Sequence, residues 1–237
     1  MQPEPSIAGR DASWERIRNT VRVLQSAWVA TFLVSIYNGA LSACQMASLL
    51  HRDAGGLPDF AQLAVLFSLG QILVYGALTV VLYGLFGLTT APAASRAQPP
   101  AWTALGLFLL GAVIDLATTF ALPRLVTSAA DYASAIRAIS MLGFLAHTAG
   151  LVFVVEALRR IEATAGGQRI SDLRWVFFGV LMLRYLIAWG TGLAPRLDFG
   201  QPYFIWAAWG VRLVALGAVY ALLLQMLNIV HEAARRR

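Results

Sequence analysis

This chain has no lysine; all 18 of its basic residues are arginine. That absence excludes every chemistry needing a side-chain amine: a P-loop lysine, a retinal or pyridoxal Schiff base, or a serine–lysine dyad. Charge of either sign is scarce, at 13% of residues against about 25% in a typical soluble domain. No polar stretch is long enough for a separate soluble domain to fold. The single cysteine, Cys44, lies in an apolar run, so no intramolecular disulfide can form. The three histidines, His51, His147 and His231, fall at one face, the middle and the other face of the spans described below. They cannot share one metal or clamp a haem between two helices. There is no HExxH, no GxSxG serine elbow and no pair of intramembrane aspartates. The expectation is a protein that is not an enzyme and needs no cofactor. A sequence pI of about 10.1 would suit nucleic acid, but arginines flanking membrane spans account for it more simply. No nucleic-acid partner is expected.

What the chain has is long apolar runs, in a composition that is 59% hydrophobic. Residues 173–194, LRWVFFGVLMLRYLIAWGTGLA, would span roughly 33 Å as a helix, enough for a hydrocarbon core of about 30 Å. Arg184 stands close to its middle, where an arginine costs roughly 2.5–3.5 kcal/mol on insertion scales. Five further runs, at 23–50, 60–90, 101–122, 132–158 and 203–231, are separated by Gly- and Pro-rich breaks such as HRDAGGLPD and APAASRAQPP. The predicted fold is all-α, a polytopic transmembrane bundle of six helices. Residues 1–22 read as a cytoplasmic or interfacial segment, with Trp14 at the headgroups. Residues 23–231 form the transmembrane domain and 232–237 a basic tail. The first apolar run is too long for a signal peptide.

The arginines orient the bundle. One face collects Arg10, Arg16, Arg18, Arg22, Arg96, Arg159, Arg160, Arg169, Arg174 and Arg235 to Arg237. The opposite links hold Arg52, Arg124 and Arg196, accompanied by Asp53, Asp59, Asp131 and Asp198. The positive-inside rule then places both termini in the cytoplasm, in a plasma or inner membrane. Trp28, Trp102 and Trp175 toward the inner ends, with Trp189, Tyr203 and Trp206 toward the outer, read as aromatic belts. The expected partners are the bilayer and, at the arginine-rich face, anionic lipid headgroups.

Two patterns concern packing. Ala27, Thr31, Ser35, Gly39, Ala43 and Ala47 recur every fourth residue in the first span, a small-residue stripe that allows close helix approach. It serves internal packing or, as the alternative, an oligomer face. A weak repeat, ALPRL at 121–125 and LAPRL at 193–197, is followed by LG-x6-G and WG-x6-G, suggesting duplicated two-helix hairpins.

Each span also carries a polar residue near mid-membrane: Asn38, Gln71, Asp115, His147, Arg184 and Arg212. Such residues should face the bundle interior, because lipid leaves them unsatisfied. No counter-ion lies within a helical turn of Arg184 or Asp115, so an interhelical Asp115–Arg184 pair is expected, with Arg212 near Trp209 for a cation–π contact. His147 is either a hydrogen-bonded core histidine or part of a proton relay. Two function classes follow. The first is a transporter-like or channel-like protein that binds or passes a small polar or anionic solute at this cluster. The alternative is a structural or interaction subunit in which the cluster only holds the helices together.

Overall fold

The structure is a computed structural model that describes residues 7–50, 60–122, 129–193 and 202–237. The links 51–59, 123–128 and 194–201, and with them His51, lie outside the described residues, as do the side chains of Ala47, Trp189 and Tyr203.

Six long α-helices make up the described residues: α1 (Ile7–Leu50), α2 (Phe60–Thr89), α3 (Gln98–Leu116), α4 (Ala129–Thr164), α5 (Arg169–Leu193) and α6 (Pro202–Arg235). No strand occurs among the described residues. Among the described residues, five of these helices, α1 to α4 and α6, are long and apolar enough to cross a membrane. The 25 residues of α5 extend about 37 Å, and within them Arg174, Arg184 and Asp172 interrupt the apolar run. Large apolar side chains cover the outside: Val65, Ile72, Leu142, Leu186 and Val214 are all exposed. An apolar exterior of this extent suits lipid rather than water, and the chain has the make-up of a multi-pass membrane protein.

The helices begin and end where local chemistry tells them to. Pro99 and Pro100 open α3, where a missing N–H costs nothing and the fixed φ is already helical. A short 3₁₀ turn at Ala93–Ser95 links α2 to α3, and its Ser95 hydroxyl accepts the Ala97 N–H at 3.2 Å. Arg96 closes that turn at φ 51°, unusual for a residue with a Cβ, and its carbonyl accepts from the Arg160 guanidinium at 2.8 Å. The junction between α4 and α5 is tighter still. Gly166, at φ 86°, ends α4 in a Schellman turn: the Gly167 N–H donates to the Glu162 carbonyl at 3.0 Å and the Gly166 N–H to the Ala163 carbonyl at 3.0 Å. The Glu162 carboxylate then reaches across to the first turn of α5, accepting the N–H groups of Arg169 at 2.9 Å and Ile170 at 2.8 Å. One residue thus finishes one helix and starts the next.

The described chain divides into two compact units. The first comprises Met1–Leu24, Val81–Asp172 and Met226–Arg237. Its core is built from stripes at three- and four-residue spacing: Ile17, Val21 and Leu24 from α1; Val81, Leu85 and Leu88 from α2; Val154, Leu158 and Ile161 from α4; Met226, Leu227 and Val230 from α6. The second comprises Gln25–Val80 and Leu173–Gln225, around Trp28, Phe177, Leu181, Val219, Tyr220 and Leu223.

Two sequence expectations change here. The expected interfacial segment 1–22 is, from Ile7 onward, the first part of α1, which runs 44 residues without a break. Trp14, Ile17 and Val21 are buried because they continue the apolar stripe of the span, so Trp14 is a core residue. Trp28 is likewise no belt residue. It is 3% exposed, its ring 5.7 Å from that of Tyr220, whereas Trp102 and Trp175 are exposed as a belt requires.

The small-residue stripe of α1 packs inside the chain. Ala27 and Ala43 are buried, and a Cβ on Gly39 would meet the indole of Trp209 on α6. Thr31 and Ser35 turn their hydroxyls back on the carbonyls of Ala27 and Thr31, both at 2.8 Å, leaving a smooth surface. The two glycine pairs of the weak repeat have different uses. In α4, Gly143 and Gly150 both receive side chains of α3, whereas in α6 Gly217 faces Phe32 of α1 and Gly210 faces open space.

Candidate functional site

In the first unit α3 and α4 pack as a hairpin whose seam is set by side chains lying on glycines. Phe108 lies on Gly150, where an added Cβ would come within 2.7 Å of its ring. His147 lies on Gly111, its Nε2 2.5 Å from where a methyl on that glycine would sit, and Asp115 lies on Gly143, with Oδ1 at 3.2 Å. The steps 108, 111, 115 up α3 match 150, 147, 143 down α4, the register of two closely apposed antiparallel helices. Lipid supplies no hydrophobic drive between helices, so such close approach is what holds a pair like this together.

The register places the two polar side chains one turn apart in the same seam. Asp115 and His147 are electrostatic neighbours, and each is half-buried. The imidazole also rests 5.3 Å from the Phe108 ring, tilted by 53°. Immediately after Asp115 the backbone widens into a π-helical turn, Ala117–Ala121. Thr118 and Thr119 donate to the carbonyls of Ile114 and Asp115 at 2.6 and 2.8 Å across its start. π-Turns recur at functional sites because they redirect side chains within a continuous helix. Next to His147, the buried Thr148 hydroxyl has no hydrogen-bond partner among the described residues. Elsewhere Thr31, Ser35, Ser68, Thr79, Thr103 and Thr164 donate to the carbonyl one turn back, so Thr148 departs from the habit of this chain.

The second unit holds other members of the predicted cluster. Asn38 reaches α2, its Nδ2 3.5 Å from the Gly70 carbonyl, next to the Tyr37 hydroxyl, which donates to the Leu66 carbonyl at 3.1 Å. Arg184 is half-buried with the Tyr220 phenol as an electrostatic neighbour, and Tyr220 is hydrogen-bonded with Ser35. Gln71 and Arg212 are exposed, against the expectation that every polar residue turns inward. For Gln71 the reason is register: Gly70 takes the face toward α1, and its neighbour lies about 100° round the helix. Trp209 meets Trp206 edge-on at 5.7 Å, and the Arg174 guanidinium lies over the Trp175 ring at 4.9 Å.

The expected buried Asp115–Arg184 ion pair is not found: among the described residues the ion pairs are those of Glu156 with Arg159 and Arg160, both at 2.7 Å and partly exposed. Asp115 has an imidazole beside it, and Arg184 a phenol. Sequence reasoning missed Tyr220, although a tyrosine in an apolar helix interior needs a polar partner and so signals one. It also missed Glu162 as a cap, since the carboxylate bonds to backbone and leaves no pairing pattern in the sequence. No family model matches this chain, and no curated protein or solved structure matches it either.

Proposed function

We propose that this protein binds or passes a small polar or anionic solute across a cell membrane, as a transporter or channel does, with Asp115, His147 and Thr148 among the groups the solute meets. The observation that carries this reading is the carboxylate–imidazole pair in the seam of an otherwise apolar hairpin; the next residue of α4, Thr148, adds a buried hydroxyl with no partner among the described residues. An ionised side chain at membrane depth costs roughly 2.5–3.5 kcal/mol, and such groups mark solute and ion pathways. The second unit carries polar residues of its own, among them the half-buried Arg184 and Asn38, and a guanidinium at membrane depth favours an anion. The arginine distribution supports both termini on the cytoplasmic face of a plasma or inner membrane.

The test is flux into liposomes containing the purified protein, with chloride, acetate, phosphate and glycerol as probes. At least one should enter faster than into empty liposomes, and Asp115→Asn should cut that rate about tenfold or more while the variant still unfolds cooperatively near the wild-type temperature. Absence of flux for all four, with Asp115→Asn changing only the melting temperature, would favour the structural-subunit reading instead.

A further inference from the structure

A second polar feature lies in the first unit, at the helix ends rather than in the seam. The turn from α4 to α5, the last two turns of α6 and the residue just beyond α6 line a cleft of about 330 Å³. Glu162, Gln168 and Arg169 line one side, and Ile229, Glu232 and Arg236 the other. That volume is at the small end of ligand sites, fitting a headgroup rather than a whole lipid or a large cofactor.

The charges around this cleft are uncommitted, unlike their neighbours. Arg159 and Arg160 are engaged by Glu156, and the Arg237 guanidinium donates to the Thr164 carbonyl at 3.5 Å. Glu162 is consumed by the two backbone N–H groups of α5 and offers little to a ligand. Glu232 lies in the last turn of α6 and Arg236 just beyond its end, and neither they nor the Arg169 guanidinium form an ion pair among the described residues. The cleft therefore presents two guanidiniums and one carboxylate still available to a ligand. Guanidinium forks match phosphate oxygens, and a carboxylate matches an ammonium. Ile229 supplies an apolar wall.

We infer that this cleft binds the headgroup of a zwitterionic phospholipid, with the phosphodiester on Arg169 and Arg236 and the amine on Glu232. The position supports a lipid source, because α4 and α6 are both long and apolar enough to cross a membrane and both end beside the cleft. A lipid held here would have its phosphate at the cleft and its acyl chains along the apolar exterior of the helices.

Native mass spectrometry of the full chain in a neutral detergent tests this, with phosphatidylethanolamine, phosphatidylglycerol or diacylglycerol added, and with sodium phosphate in a separate arm. The wild type should retain phosphatidylethanolamine preferentially and diacylglycerol hardly at all. Arg169→Gln with Arg236→Gln should weaken phospholipid retention about tenfold, and Arg236→Gln alone about threefold, the scale of exposed ion pairs. Arg235→Gln, next to Arg236 in sequence but outside the lining, should leave retention unchanged. Glu232→Gln should remove the preference for ethanolamine over glycerol. The single change at Arg236, exposed just beyond the end of α6, keeps the test usable should the double variant fail to fold. Undiminished retention by the arginine variants, equal retention of diacylglycerol, an unchanged headgroup preference in Glu232→Gln, or phosphate binding without phospholipid retention would each overturn the inference.

Discussion

Replacing Glu162 with alanine isolates the effect of one carboxylate on two helices. The side chain is 2% exposed, so water cannot take its place without opening the turn. Two N–H donors lose their acceptor, those of Arg169 and Ile170. Hydrogen bonds to a charged group contribute about 1.5–3 kcal/mol each. The exposed Arg169 end can recover some hydration, whereas Ile170 is fully buried and its N–H would stay unsatisfied. The lower part of the combined range applies, a loss of about 3 kcal/mol. For a chain of this size that lowers the melting temperature by about 6–12 °C. Glu162→Gln keeps one acceptor oxygen but turns an amide N–H₂ toward a backbone donor, so it should recover less than half of the loss. Intrinsic-fluorescence melting in detergent measures both. Limited proteolysis at Gly166 and Gly167 adds a local readout, with faster cleavage expected in the alanine variant. A melting temperature within about 2 °C of wild type for Glu162→Ala would refute the capping argument.

Two further outcomes test the packing. Gly111→Ala places a methyl 2.5 Å from His147 Nε2 and should destabilise by about 1–3 kcal/mol, whereas Gly106→Ala meets nothing within 4 Å and should be neutral or stabilise by about 0.5–1 kcal/mol. Both are read from melting temperatures, and equal shifts would contradict the glycine register. Trp28→Ala empties a buried site against Tyr220 and should cost about 3–5 kcal/mol, whereas Trp175→Ala, 66% exposed, should cost about 1 kcal/mol or less.

The six helices were legible because apolar runs of more than about 20 residues, broken by Gly and Pro, leave few alternatives in a membrane. The start of α1 was not, because the polar residues between Trp14, Ile17, Val21 and Leu24 mask a stripe visible only at helical spacing. The polar residues were legible as individuals but not as partners. Charge arithmetic favours Asp115 with Arg184, since the sequence shows signs but not registers. The register that puts Asp115 beside His147 is set by Gly111, Gly143 and Gly150, whose effect lies in side chains they lack. Tyr220 was overlooked for a related reason: it carries no formal charge, so it has no weight in such arithmetic.

The glycine seam between α3 and α4 also bears on how this protein can move. Sliding one helix along the other by a fraction of a turn would lift Phe108, His147 and Asp115 off their three glycines at once and drive them into neighbouring side chains. Packed helices of this kind are bistable rather than continuously deformable. The register therefore opposes any small slide of α3 along α4 at all three contacts together.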